Sequence, residues 1–191
     1  MTGRLPKLIA FDLDYTLWAL WIDTHVSPPL NRDEDTINEV KDRYGQKITF
    51  YPDVAQILHR LRAADVTIAA CSRTAAPELY VHPKALSLLL ISPKPGENAA
   101  RPTRAIEFFD QKEIYPGSKI AHFKKIHQKT GISYFEMLFF DDERRNKEVE
   151  TLGVTFHHAP DGIENQVFEK GLTEWKKRHP ALVVEDAEAS V

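Results

Sequence analysis

The chain has 191 residues, 42% hydrophobic and 28% charged, with a formal charge of −3. That size and balance fit one globular domain burying roughly 70% of its unfolded surface, and the missing basic excess excludes nucleic acid as a principal partner. A single cysteine, Cys71, excludes an internal disulfide and a C-x-x-C zinc or redox site.

The first strand is expected over Leu8 to Leu13, inside the stretch KLIAFDLDYTLWALW, with Asp12 and Asp14 at its end. Positions 22–50 are polar and turn-rich. There DRYGQKITF has the pattern of a turn and the second arm of a hairpin, Ile48 and Phe50 on one face, forming a small flap insert. A helix from Asp53 to Ala64, with Pro52 at its start, leads into a second strand, Val66 to Cys71. The next helix is expected over Pro77 to Leu90. SPKPGENAARPTR, residues 92–104, has three prolines and no periodicity, so it is expected to be a surface loop.

Three more strands, Glu113 to Tyr115, Glu136 to Phe140 and Val154 to His158, alternate with helices over Ser118 to Thr130, Arg144 to Leu152 and Glu164 to Arg178. This alternation of strand-length apolar runs and amphipathic segments specifies an α/β sheet with right-handed crossovers. No repeat or linker divides residues 1–179; the acidic stretch 180–191 lacks a core face and is expected to fray. MTGRLPKLIAF is too short in apolar residues for a signal peptide, and no run approaches the roughly 20 apolar residues of a membrane span. A cytoplasmic or nuclear location, with no membrane partner, is therefore expected, and no obligate protein partner is evident.

An ionised carboxylate inside a sheet costs several kcal/mol unless paired or bound to a cation, and ligands in such sheets bind at the strands' carboxyl ends. Residues two apart on a strand face the same way, so Asp12 and Asp14 can serve one site while Leu13 packs behind them. A bare D-x-D is more often a capping acid followed by a turn acid. EMLFFDDERRN then repeats the pattern, placing Asp141 and Asp142 after another apolar strand. One of these could cap the following helix. Two strands that both end in acid nevertheless point to a shared hard cation such as magnesium, since converging like charges repel without one. Ser72 and Arg73 follow the second strand as phosphate-oxygen donors, and Lys119 stands in a helix's first turn, where the dipole disfavours a cation unless an anion is near.

The ordered set DLDYT, CSR, GSK and DDE resembles the haloacid dehalogenase superfamily of phosphatases. Within it, FDLDYTLW, WIDTHVSPP, SRT, EIYPGSK, HFKKIHQKTG and FFDDERRN are most similar to the small eukaryotic magnesium-dependent phosphatases. The likeness runs from Leu5 to Gly171, except between Ala75 and Phe109, where this chain is longer. The fold it implies is a single Rossmann-like three-layer α/β domain, with a central, mostly parallel sheet and a minimal hairpin flap in place of a cap domain. It further implies that Asp12 is the nucleophile and Asp14 the general acid/base. Magnesium would be held by Asp12, the Asp14 carbonyl and Asp142, with Asp141 in support; Ser72, Arg73 and Lys119 would hold phosphate, Thr16 would order the turn, and Trp21 would stack on the substrate. Phosphorylated proteins or small molecules are the implied partners, among them phosphotyrosine, aryl phosphates and phosphorylated glycated sugars.

The eight histidines show no zinc spacing, and His122 and His127 lie on an expected surface helix. Cys71 is expected to be a core residue, since a thiol phosphatase needs an arginine about six positions on, where Pro77 stands. A receiver-like signalling domain and an inactive scaffold are the alternatives. The receiver has no second acid equivalent to Asp14, and the scaffold would not need the complete set.

Overall fold

The computed structural model describes residues 4–34, 36–75, 77, 80–94, 96 and 101–180. Residues 181–191 of the expected frayed tail, and 95 and 97–100 of the 92–104 loop, lie outside that set.

Five parallel strands form the central sheet: β1 (Leu8–Phe11), β4 (Thr67–Ser72), β7 (Gln111–Ile114), β8 (Met137–Asp141) and β9 (Thr155–His158), in the order β7-β4-β1-β8-β9. Successive side chains of β1 serve opposite faces. Ile9 and Phe11 pack into one core with Phe140 and Trp175, while Leu8 and Ala10 join Phe123, Ile126 and Phe139 in the other. Helices α2 (Val54–Ala63), α3 (Val81–Leu88), α4 (Lys119–Thr130) and α5 (Asn165–Arg178) complete the three layers, and a short α1 (Ile22–His25) follows β1. The order of strands reverses at β1: β4 and β7 extend to one side, β8 and β9 to the other. A crevice therefore opens between the carboxyl ends of β1 and β8.

The hairpin forms as expected, β2 (Val40–Lys41) antiparallel to β3 (Lys47–Ile48), with Ile48 and Phe50 buried. Other expectations need correction. Helix α3 begins at Val81 rather than Pro77, because Tyr80 has a positive φ of 50° and Pro83 supplies the proline of the first turn. Residues Thr103–Arg104 are a strand, β6, rather than loop, paired with β5 (Leu90–Ile91), and a 3-10 turn over Ala105–Phe108 follows. Arg144–Leu152 is a 3-10 helix rather than an α-helix. His122 does lie on a surface helix, α4, but on its inner face, wholly buried with its ring edge-on to Tyr115. Burial, then the Lys119 charge, push its imidazole down to about 4, so it is a neutral core residue. No described helix is long and apolar enough to cross a membrane.

Candidate active site

A pocket of about 240 Å³ occupies the crevice, lined by Asp12, Asp14, Ser72, Arg73, Lys119 and Asp142, with Tyr15, Trp21, Glu143 and Arg145 around its mouth. All the phosphate and metal candidates read from the sequence thus meet there, except that Asp141 and Thr16 stand behind the wall. Cys71 is buried in the β4 core, where burial raises its thiol pKa and keeps it protonated.

Asp12 leaves β1 with its amide donating to Phe140 O at 2.9 Å, so the backbone of the neighbouring strand fixes its position. Lys119 is the first residue of α4, whose N-cap Ser118 accepts from the Ala121 amide. Its ammonium is buried, donating to Asp12 Oδ1 at 2.5 Å and to Cys71 O, and lying 3.3 Å from Asp141 Oδ2. Those carboxylates are the anions that its place in the helix's first turn calls for. Burial opposes its charge, but Asp12 and Asp141 outweigh burial and raise the Lys119 pKa.

Burial also pushes the Asp12 carboxyl up to about 8; the Asp141 and Asp14 charges add to this and Lys119 opposes it. Burial, then Asp141 and Glu143, push Asp142 up to about 6. One ammonium thus leaves the converging carboxylates undercompensated, which is the electrostatic signature of a cation site. The donors facing the pocket are oxygens, and no group of three or more His, Cys, Asp or Glu side chains among the described residues could by itself hold a metal ion. Two carboxylates completed by water fit magnesium better than an all-protein cage would.

Asp141 is fully buried, accepting from the Glu143 amide and from Asn146 Nδ2, both at 2.7 Å. Asn146 in turn accepts from Arg73 at 2.7 Å, tying the loop after β4 to the 3-10 helix after β8. The Thr16 hydroxyl reaches across to the end of β8, where it accepts from the Asp142 amide at 3.1 Å.

Residues 4–178 match the family model described as Acid Phosphatase. A haloacid dehalogenase-like hydrolase superfamily protein of Schizosaccharomyces pombe is 50% identical over 153 residues, 80% of this chain and 85% of its own length. The chain belongs to that acid phosphatase family. It is therefore a haloacid dehalogenase-like phosphatase, and Magnesium-dependent phosphatase 1 of Homo sapiens is 44% identical to it over 182 residues, covering 92% of this chain and 90% of the human one. A haloacid dehalogenase-superfamily hydrolase from Ehrlichia chaffeensis shares the fold, with a TM-score of 0.55 at 12% identity over 91% of this chain and 98% of its own.

Several residues that this phosphatase brings to the site go beyond the candidates read from its sequence. His158, on β9, contacts the Asp142 carbonyl at 2.8 Å, and His82, on α3, contacts Asp14 Oδ2 at 3.1 Å. Glu143, Arg145 and Asn146 stand inside FFDDERRN, within four residues of Asp142, and that is the one signal that could have found them. Nothing local to His82 could.

Proposed function

We propose that the chain is a magnesium-dependent phosphomonoesterase that works through an aspartyl-phosphate on Asp12, acting on phosphotyrosine, aryl phosphates or phosphorylated glycated sugars. What carries this reading is the Lys119 ammonium at 2.5 Å from Asp12 Oδ1, on the floor of a pocket that Ser72, Arg73 and Asp142 also line. Lys119 orients the carboxylate by one oxygen and leaves the other free to attack.

In the first half-reaction that oxygen attacks phosphorus, the bond to the ester oxygen breaks, and Asp14 gives that oxygen a proton. In the second, water attacks the same phosphorus, Asp14 takes a proton from it, and the bond to Asp12 breaks to free inorganic phosphate. Ser72, Arg73 and Lys119 hold the phosphoryl oxygens as charge moves among them. Asp12, Asp142 and the Asp14 carbonyl would hold magnesium. The bound ion supplies neutralisation of the carboxylate and phosphoryl charges that would otherwise repel.

Magnesium-dependent hydrolysis of phosphotyrosyl peptides and aryl phosphates tests the reading. Asp12→Asn, nearly isosteric, should abolish turnover while the fold survives; substantial activity in the purified variant would overturn the covalent route. The acidic pair should divide its work. Asp142→Ala should raise the magnesium requirement about tenfold or more, as changes in a metal's immediate environment do. Asp141→Ala should act mainly on stability, lowering it by about 3 kcal/mol or more, because it leaves the buried Lys119 short of a partner. Equal magnesium titrations of wild type and Asp142→Ala would refute the ligand assignment.

A further inference from the structure

Both oxygens of Asp14 are held by the protein. The Trp18 indole donates to Oδ1 at 2.7 Å and the His82 imidazole to Oδ2 at 3.1 Å. Trp18 is itself fixed by stacking on Phe50 at the base of the hairpin, with ring centroids 5.7 Å apart. His82 comes from α3, 68 positions along the chain, and its side chain is 2% exposed. Its second ring nitrogen faces Asp23 Oδ1 at 3.7 Å. Asp23, on α1, also accepts from the Thr74 hydroxyl at 3.0 Å and the Ala75 amide at 2.7 Å, just beyond Ser72 and Arg73.

A histidine at this point of α3 is not demanded by packing. Its neighbours on the buried face are Val81, Ala85 and Leu86, and an apolar side chain would avoid the cost of burying a polar ring. What the imidazole adds is a directed bond to one carboxylate oxygen and a link from that carboxylate to the loop after β4.

We propose that His82 is a positioning residue: with Trp18 it clamps the Asp14 carboxyl in the orientation from which it exchanges a proton first with the leaving-group oxygen and then with the attacking water. The clamp uses one acceptor site on each oxygen and leaves the remaining lone pairs toward the pocket, which Asp14 lines. This rests on the aspartyl-phosphate reading above, since only in a two-step reaction does one group serve both exchanges.

The two steps separate kinetically. With a poor leaving group such as phenolate, departure needs the Asp14 proton, so kcat/KM should fall in His82→Ala; misplacing a catalytic group by about 1 Å costs on the order of 100-fold. With 2,4-dinitrophenolate, departure needs no proton, so kcat/KM should stay near wild type. Hydrolysis of the phosphoenzyme still needs the base, so kcat should fall on that substrate and a burst of dinitrophenolate should appear. His82→Gln, which can present an amide N–H to Asp14, should recover most of the loss on phenyl phosphate. In an Asp14→Asn background, His82→Ala should change nothing further, because the group it positions is gone.

Equal losses in kcat/KM on both substrates would overturn the proposal, as would additive losses in the double variant or an unaffected His82→Ala. Asp12→Asn is the companion measurement. An inactive Asp12→Asn beside an unaffected His82→Ala would remove the His82 proposal alone, whereas an active Asp12→Asn would remove the covalent reading and this proposal with it.

Discussion

Burial and the Asp141 and Asp14 charges hold the Asp12 carboxyl at about 8 against an ordinary value of 3.8, even with Lys119 opposing them. The folded protein without metal therefore keeps a proton over a range in which the unfolded chain has lost it. By linkage, the stability this group contributes is fully present below about pH 4 and is lost as the pH rises through about 8. Asp142, raised to about 6, adds a smaller loss in the same direction. Thermal melts of the metal-free protein should fall across this window, and Asp12→Asn, which cannot ionise, should flatten the fall. Magnesium favours the ionised carboxylates, so its stabilising effect should grow with pH over the same range. A wild-type pH profile superimposable on that of Asp12→Asn would show that Asp12 is not the group responsible.

The contact of α5 with β8 shows how tightly an element can be specified by one residue. Gly171 lies in mid-helix on the buried face, and a Cβ there would collide with the Phe140 ring and sit 3.2 Å from His157 Cγ. Phe140 cannot yield easily, being stacked between Phe11 and Phe168 with centroids 5.5 and 5.6 Å away. Gly171→Ala gains about 1 kcal/mol of helix propensity, but overpacking a dense core costs about 1–3 kcal/mol, and the rigid ring places this site toward the upper end. Chemical denaturation should show a net loss of about 1 kcal/mol or more; a stabilised variant would mean that the ring moves aside. The sequence displays the other side of this contact more plainly. MLFF and VTFHH announce β8 and β9 by their apolar runs, as LIAF and TIAAC announce β1 and β4. Elements set by competition were less legible: Pro77 and Pro83 both signal a helix start, and only the backbone at Tyr80 decides between them. The two-residue β6 is too short for any periodicity. Site residues divide the same way. Asp12, Asp14, Ser72, Lys119 and Asp142 follow strands or open a helix within motifs, whereas His82 and His158 reach the site only through tertiary packing.

At the scale of the whole molecule, the reversal of strand order at β1 gathers the acids from β1 and β8 and the donors from β4 and α4 into one crevice. The insertions around it are small among the described residues: α1 with the β2–β3 hairpin after β1, and α3 with the β5–β6 pair after β4. We propose that the site works open, with the substrate's leaving group at the mouth rather than under a lid. Trp21 is half exposed there and Tyr15 39% exposed, both lining the pocket. The Trp21 amide donates to His25 Nδ1 at 3.1 Å, which anchors the start of α1 and fixes the residue that presents the indole. An aromatic leaving group could stack on that surface, and such contacts are worth about 0.5–1.5 kcal/mol. Trp21→Ala should therefore lower kcat/KM for aryl phosphates by roughly threefold to tenfold and leave a small alkyl phosphate nearly unchanged. This is the reverse of the substrate bias expected when His82 is removed, where the better leaving group is spared, so the two effects can be told apart in one assay. Phosphotyrosyl peptides should also be turned over more efficiently than free sugar phosphates, since an open crevice admits both and only the aromatic leaving group gains the stacking contact. Equal losses on aryl and alkyl substrates in Trp21→Ala, or a wild-type preference for free sugar phosphates, would overturn the open stacking site.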